Sequence, residues 1–349
     1  MTVIYISDQG ASLVKSGHNL VVEKAGQPIT QYHAFKIQQL VLMGQVQVTP
    51  NALAFLLQQG IDTVFLSFQG KFRGRLISGL SKNIDLRRAQ FRFLEDPARA
   101  LELAKKCVAG KIENCRVLLR RQNQRSANPE VKLAVSRLRR SLDALSGAAD
   151  LDSLRGREGG AAAAYFKGFG QALSPEEFRF HKRTRRPPRD PVNALLSLGY
   201  TLLANVAETA VQTAGLDPYL GALHAPEYGR PSLVLDLMEE FRPLLVDTIV
   251  LGAINRRQIA RGDFYLNPEA EIPEGEEERE GLSSEERPVI LTHEGIKKFV
   301  ALFERRLREK TVHPRTEERL DYREICLAQA RLMAKCFQGE ADYSAFTWR

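Results

Sequence analysis

Over residues 2–78 the apolar positions come in short runs: Val3-Ile4-Tyr5-Ile6, Leu20-Val21-Val22, Gln39-Leu40-Val41-Leu42-Met43 and Thr63-Val64-Phe65-Leu66-Ser67. Turn residues part them at Gln9-Gly10, Ser16-Gly17, Ala25-Gly26 and Gln69-Gly70, the grammar of strands. Residues 50–59 interrupt with Leu53, Leu56 and Leu57 behind Pro50, which predicts one short helix opened by proline. After Ser81 the period lengthens. Phe91, Leu94, Leu101 and Ala104 predict a helix over 87–108, and Val117 and Leu118 another over 112–122. A long apolar helix runs from Asn193 to near Gly215, and amphipathic helices over 293–310 and 319–337 follow. The expected fold class is α+β: a small N-terminal β-rich domain over 1–80, suited to dimerisation or docking, then a larger all-α domain over 86–349.

The chain has 349 residues, enough for two cores, and its net charge of +8 with pI near 9.3 favours a polyanionic partner. No apolar run is expected to span a membrane, since Asn205 and Glu208 interrupt the longest. The basic residues are clustered. Arg73 and Arg75 alternate at the end of the β-domain, and Arg116, Arg120, Arg121 and Arg125 line one helix. The densest segment, FRFHKRTRRPPRDP over 178–191, holds Lys182, Arg183, Arg185, Arg186 and Arg189 in what its prolines predict to be a loop. Arg256 and Arg257 are expected on a short helix over 255–262. These are the candidate DNA-binding residues, holding phosphate. Residues 269–286 are acidic and poor in apolar positions, the composition of a loop. The four cysteines lack zinc or redox spacing, and the N-terminus enters a strand with no signal-peptide pattern, so a cytoplasmic location is expected.

The candidate chemistry lies in residues 223–250. His224 precedes a Gly229-Arg230-Pro231-Ser232 turn and a helix bearing Asp236, Glu239 and Glu240, three and four residues apart and so on one face. Ser232 is expected to cap that helix. Imidazole with carboxylates is a divalent-metal ligand set. Upstream, Glu158 follows Gly156 and precedes Gly159-Gly160 and an alanine run, where glycines permit a tight turn before a closely packed helix.

His224, the Gly-Arg-Pro-Ser turn and Asp236-Leu237-Met238-Glu239-Glu240-Phe241-Arg242-Pro243 resemble the signature of the CRISPR-associated endonuclease/integrase of spacer acquisition. Glu158, the Arg186-Pro187-Pro188 segment, Asn193-Ala194-Leu195-Leu196-Ser197 and Gly215-Leu216-Asp217-Pro218-Tyr219 extend the resemblance in order. It implies that Glu158, His224 and Glu239 are catalytic ligands of one Mg²⁺ or Mn²⁺. Asp236 would sit beside the metal or behind it, and Glu240 is the least favoured ligand. The activity implied is insertion of short duplex fragments with 3′-hydroxyl ends at the CRISPR repeat by transesterification. The partners implied are DNA, a second copy of the chain, and the small CRISPR-associated adaptation protein bridging two dimers. A metal-dependent nuclease or resolvase acting by hydrolysis would share the ligands, and a non-catalytic DNA-binding scaffold would need the acids only for folding.

Overall fold

The N-terminal unit holds strands β1 (Thr2–Ile6), β2 (Ala11–Ser16), β3 (Asn19–Lys24), β4 (Gln27–His33), β5 (Ile37–Met43), β6 (Gln47–Val48), β7 (Asp62–Leu66) and β8 (Phe72–Leu76) in the computed structural model, which describes residues 2–77, 83–184, 187–266 and 288–348; the four apolar runs are β1, β3, β5 and β7. Helix α1 (Pro50–Gln59) starts at Pro50, with Thr49 capping it from the preceding position. One sheet has the order β1-β5-β7-β8, parallel except for antiparallel β8, and the other β4-β3-β2-β6. Ile4, Ile6, Leu13, Leu20, Val22, Leu40 and Leu42 pack with Phe55 and Leu56 of α1 into one core. The contacts divide the chain into two compact units, Met1–Ser81 and Lys82–Arg349.

The second unit comprises α2 (Ile84–Glu95), α3 (Pro97–Ser126), α4 (Pro129–Asp143), α5 (Leu151–Gln171), α6 (Pro191–Thr213), α7 (Ser232–Arg242) and α8 (Thr248–Asn255). Beyond these come the antiparallel pair β9 (Phe264–Leu266) and β10 (Val289–Leu291), α9 (His293–Leu307), the antiparallel pair β11 (Lys310–Val312) and β12 (Arg319–Asp321), and α10 (Tyr322–Phe337). The acidic stretch 269–286 lies outside the described residues, as do Arg185 and Arg186.

Three expectations are corrected here. The break expected between residues 108 and 112 does not occur; α3 runs unbroken for 30 residues. The break falls at Pro97, whose missing amide suits a first turn, while Asp96 caps the amides of Ala98 and Arg99. Gly156, Gly159 and Gly160 do not precede α5 but lie inside it, because Asp150 and Ser153 form a capping box that starts the helix earlier. The short helix expected over 255–262 is instead the end of α8 followed by turns, with Arg257 at φ 53°.

Helix α6 alone among the described residues is long and apolar enough to cross a membrane by length and composition. It is a core helix here. Leu195, Leu196, Leu202, Leu203 and Ala207 are buried, and the helix packs against α7 and α10. The aromatic C-terminal tail is buried in this chain's own core at Tyr343 and Phe346. All four cysteines are free and buried.

Candidate active site

Asp236 organises the loop that carries His224. From the second turn of α7 its Oδ2 accepts the amides of Ala222 (2.5 Å) and Leu223 (3.0 Å), and its Oδ1 accepts the amide of His224 at 3.0 Å. Oδ1 also lies 2.6 Å from His224 Nδ1. Three amides and a ring nitrogen leave this buried carboxylate no free valence for a further role, so Asp236 stands behind the imidazole. Gly221 is required here, since a Cβ would come 2.7 Å from Asp236 Oδ2. The loop is clamped from outside as well. Arg155 of α5 donates Nε and Nη2 to the Leu223 carbonyl at 3.0 and 2.8 Å, and buried Gln90 of α2 bonds Asp217 and Leu220. Ser232 does not cap α7: its hydroxyl donates to the Ala225 carbonyl at 3.1 Å, fastening the other end of the loop.

With Nδ1–H directed at Asp236, the tautomer this bond assigns leaves a lone pair on His224 Nε2, which lies 3.8 Å from Glu239 Oε1. Glu239 is one turn beyond Asp236 and its side chain is 4% exposed. Burial by itself raises its carboxyl, but Lys111 and Arg242 outweigh burial and hold it down to about 2. Glu158, in the third turn of α5, reaches the same place through Lys111. The Lys111 ammonium donates to Glu158 Oε1 at 2.5 Å and lies 2.6 Å from Glu239 Oε2. Thus Glu158, His224 and Glu239, from a helix, a loop and a second helix, meet in one network with a lysine at its centre.

Lys111 is not among the residues the sequence points to. Its signal is faint: one cation on the stripe of α3 formed by Val108, Ile112 and Cys115, all buried. Burial lowers its pKa, but Glu239 and Glu158 raise it more, so the ammonium keeps its charge. Arg242 likewise lies with Nε 3.2 Å from Glu239 Oε1 and its guanidinium over the Tyr200 ring.

Glu240 departs from the face expected for it. It faces the C-terminal tail, where its carboxylate accepts Gln329 Nε2 (2.9 Å), the Tyr343 hydroxyl (2.9 Å) and the Phe346 amide (3.1 Å). Burial pushes it up to about 8 against those three donors. Asn114 completes this clasp, donating to the carbonyls of Glu240 and Phe346, both at 2.8 Å.

The donor set suits a hard divalent cation: two carboxylates, one imidazole nitrogen, and a buried Glu239 Oε2 that has ion-pair contact but no aligned hydrogen bond. Among the described residues, no three His, Cys, Asp or Glu side chains already form a ready metal cluster. The ammonium of Lys111 lies between the carboxylates instead. Beside it opens a cavity of about 200 Å³ lined by Lys111, Glu158, Tyr165, Tyr200, Arg242 and Asp247. Asp247 closes a π-helical turn, Pro243–Asp247, and accepts the hydroxyls of Tyr165 (2.6 Å) and Tyr200 (2.7 Å).

The expected DNA-binding residues divide. Lys182, Arg189, Arg256 and Arg257 are exposed in the second unit and Arg73 is exposed in the first. Arg75 is not available to phosphate, because its guanidinium forks onto both oxygens of Asp62. Arg183 is equally committed, donating to Asn193 Oδ1 (2.8 Å), Ser197 Oγ (3.0 Å) and the Thr184 carbonyl. In a buried setting a guanidinium must satisfy several donors at once, and a local carboxylate or carbonyl satisfies them better than solvent.

A family model described as CRISPR associated protein Cas1 matches residues 4–305. A CRISPR-associated endonuclease Cas1 of Thermus thermophilus is 42% identical over 99% of this chain and 97% of its own length. Another, of Rhodospirillum rubrum, is 36% identical over 100% and 99%. Two solved structures share the fold: a casposase bound to integration product (TM-score 0.84, 22% identity, 99% of this chain and 93% of that one), and a Cas1 protein from Thermotoga maritima (TM-score 0.80, 24% identity, 99% of each).

Proposed function

Because this chain belongs to the CRISPR-associated Cas1 family, whose members compared above include named endonucleases, we propose that it is a divalent-metal-dependent DNA integrase and endonuclease of spacer acquisition. The observation that carries this reading is the meeting of Glu158 and Glu239 on one buried cation, with His224 Nε2 3.8 Å from Glu239 Oε1. Folding alone does not call for that arrangement, since apolar side chains of similar volume would fill the space at no electrostatic cost.

Glu158, His224 and Glu239 would hold Mg²⁺ or Mn²⁺. Once bound, the cation stabilises negative charge building at phosphorus and favours ionisation of the attacking hydroxyl. The chain's own residues prepare that site. Asp236 holds the imidazole so that Nε2 faces Glu239, and Arg242 keeps Glu239 ionised. In the joining reaction the fragment's 3′-oxygen forms a new bond to phosphorus while the target strand's own P–O3′ bond breaks. The departing 3′-oxygen takes up a proton. One ester replaces another, so no external energy is required. Lys182, Arg189, Arg256 and Arg257 are suited to hold the DNA backbone.

Two fragment ends need two sites a fixed distance apart, and the described residues of one chain form one such site. The working unit is therefore a homodimer, with the small CRISPR-associated adaptation protein bridging two dimers. The test is strand transfer of a labelled duplex with free 3′-hydroxyl ends into a supercoiled plasmid carrying a CRISPR array, in Mn²⁺ or EDTA. Metal-dependent joining that falls at least ~100-fold in Glu239→Ala is expected, the scale of losing one essential group. Cleavage without joining would assign hydrolysis, and DNA binding with neither would leave a scaffold.

A further inference from the structure

We propose that Lys111 is a built-in competitor for the divalent cation: its ammonium occupies the carboxylate pair in the metal-free protein and must yield that position when metal binds. This rests on the metal-dependent reading above. The argument begins with charge. Glu158 and Glu239 face each other across a single ammonium, at 2.5 and 2.6 Å, with the Glu158, Lys111 and Glu239 side chains 24%, 17% and 4% exposed, so that the site is dry on the Glu239 side and half-shielded on the other. Two carboxylates so placed repel each other unless a cation lies between them. Lys111 is that cation. A divalent ion drawn to the same two oxygens meets a pair whose charges Lys111 and Arg242 already balance, so its binding includes displacement of the ammonium.

The surroundings are consistent with a side chain that changes place. The ammonium donates a hydrogen bond to Glu158 Oε1 but meets Glu239 Oε2 only as an ion pair at 2.6 Å, without an aligned hydrogen bond to hold it in one orientation there. The cavity of about 200 Å³ beside the site is lined by Lys111 itself, and across it stand Tyr165, Tyr200 and Asp247. A lysine stem is long and unbranched, with four rotatable carbons, and this cavity gives it room within the same pocket. Arg242 is not equivalent. Its guanidinium is packed over the Tyr200 ring, with the centroid 4.7 Å away, so it stays with Glu239 whichever cation is present. Lys111 is therefore a positioning residue. It keeps the two carboxylates apart and in register before metal arrives, at the expense of metal affinity.

The test titrates Mn²⁺ calorimetrically into the full chain as wild type, Lys111→Met and Lys111→Gln, with the exposed Lys132→Met as control. Parallel melts in EDTA and in Mn²⁺ follow stability. Removing the competitor is expected to tighten Mn²⁺ binding roughly 10-fold or more, equivalent to about 1.4 kcal/mol. Both variants should melt lower than wild type in EDTA, where the carboxylates are left facing each other, and recover most of the difference in Mn²⁺. Lys111→Gln retains a donor to both carboxylates and carries the measurement if Lys111→Met does not fold. Wild-type binding with unchanged or weaker binding in the variants would overturn the competition while leaving the metal reading intact. Absence of Mn²⁺ binding in every form would overturn both.

Discussion

Asp247 shows how far a residue's behaviour departs from its type once its neighbours are set. It lies on the stretch where the chain passes from α7 to α8, inside the apolar run Leu244-Leu245-Val246-Asp247-Thr248-Ile249-Val250, whose pattern marks the position as buried without naming its partners. Buried behind Tyr165 and Tyr200, its carboxyl is driven up to about 6 by burial, against the two hydroxyl donors and Arg242. The sign follows from proton counting. Between about pH 4 and 6 the folded state holds a proton that the unfolded state, titrating near 3.9, has lost, so stability falls as pH rises through that window and levels off above it. Urea denaturation across pH 4–7 should show a decline in wild type of roughly 3 kcal/mol from this group. Asp247→Asn should remove that component of the slope.

At the scale of elements, α3 and the C-terminal tail form the support on which α7 rests. Asn114 of α3 holds the carbonyls of Glu240 and Phe346, and Trp348 lies under the guanidinium of Arg121, 3.9 Å from the ring centroid. This explains a glycine in the middle of a 30-residue helix: a Cβ at Gly110 would come 2.3 Å from the Cβ of Ala345. Gly156 of α5 has nothing within 4 Å of such an atom. The same substitution should therefore act in opposite directions. Gly156→Ala gains helix propensity and should stabilise by about 0.5–1 kcal/mol. Gly110→Ala must displace the tail and should destabilise by about 1–3 kcal/mol. Thermal denaturation of the two variants beside wild type would reveal the contrast.

For the molecule as a whole, a net charge of +8 makes DNA binding sensitive to salt, but the arginines do not share that work equally. Arg189 and Arg256 are exposed, whereas Arg75 and Arg183 are consumed by internal partners. Fluorescence anisotropy with duplex DNA, repeated over a range of salt, should separate them. Alanine at Arg189 or Arg256 should weaken binding and lower the salt slope by about one unit, with stability unchanged. Alanine at Arg183 should act mainly through stability, by about 1.5–3 kcal/mol, since buried acceptors such as Asn193 Oδ1 lose a charged donor.

The sequence by itself determined the β-rich to helical transition, α1 with its proline start, and the family, because these depend on residues close together in the chain: periodicity, turn chemistry and motifs. Spacing of three along a helix also sufficed to put Asp236 and Glu239 on one side of α7. Tertiary structure alone decided what each charge faces. Only packing turned Glu240 toward the tail, gave Arg75 to Asp62, and brought Lys111, 47 residues before Glu158, to rest against it. The physical reason is that local pattern reports whether a position is buried or exposed, while the free energy of a buried charge depends on partners that arrive from distant segments.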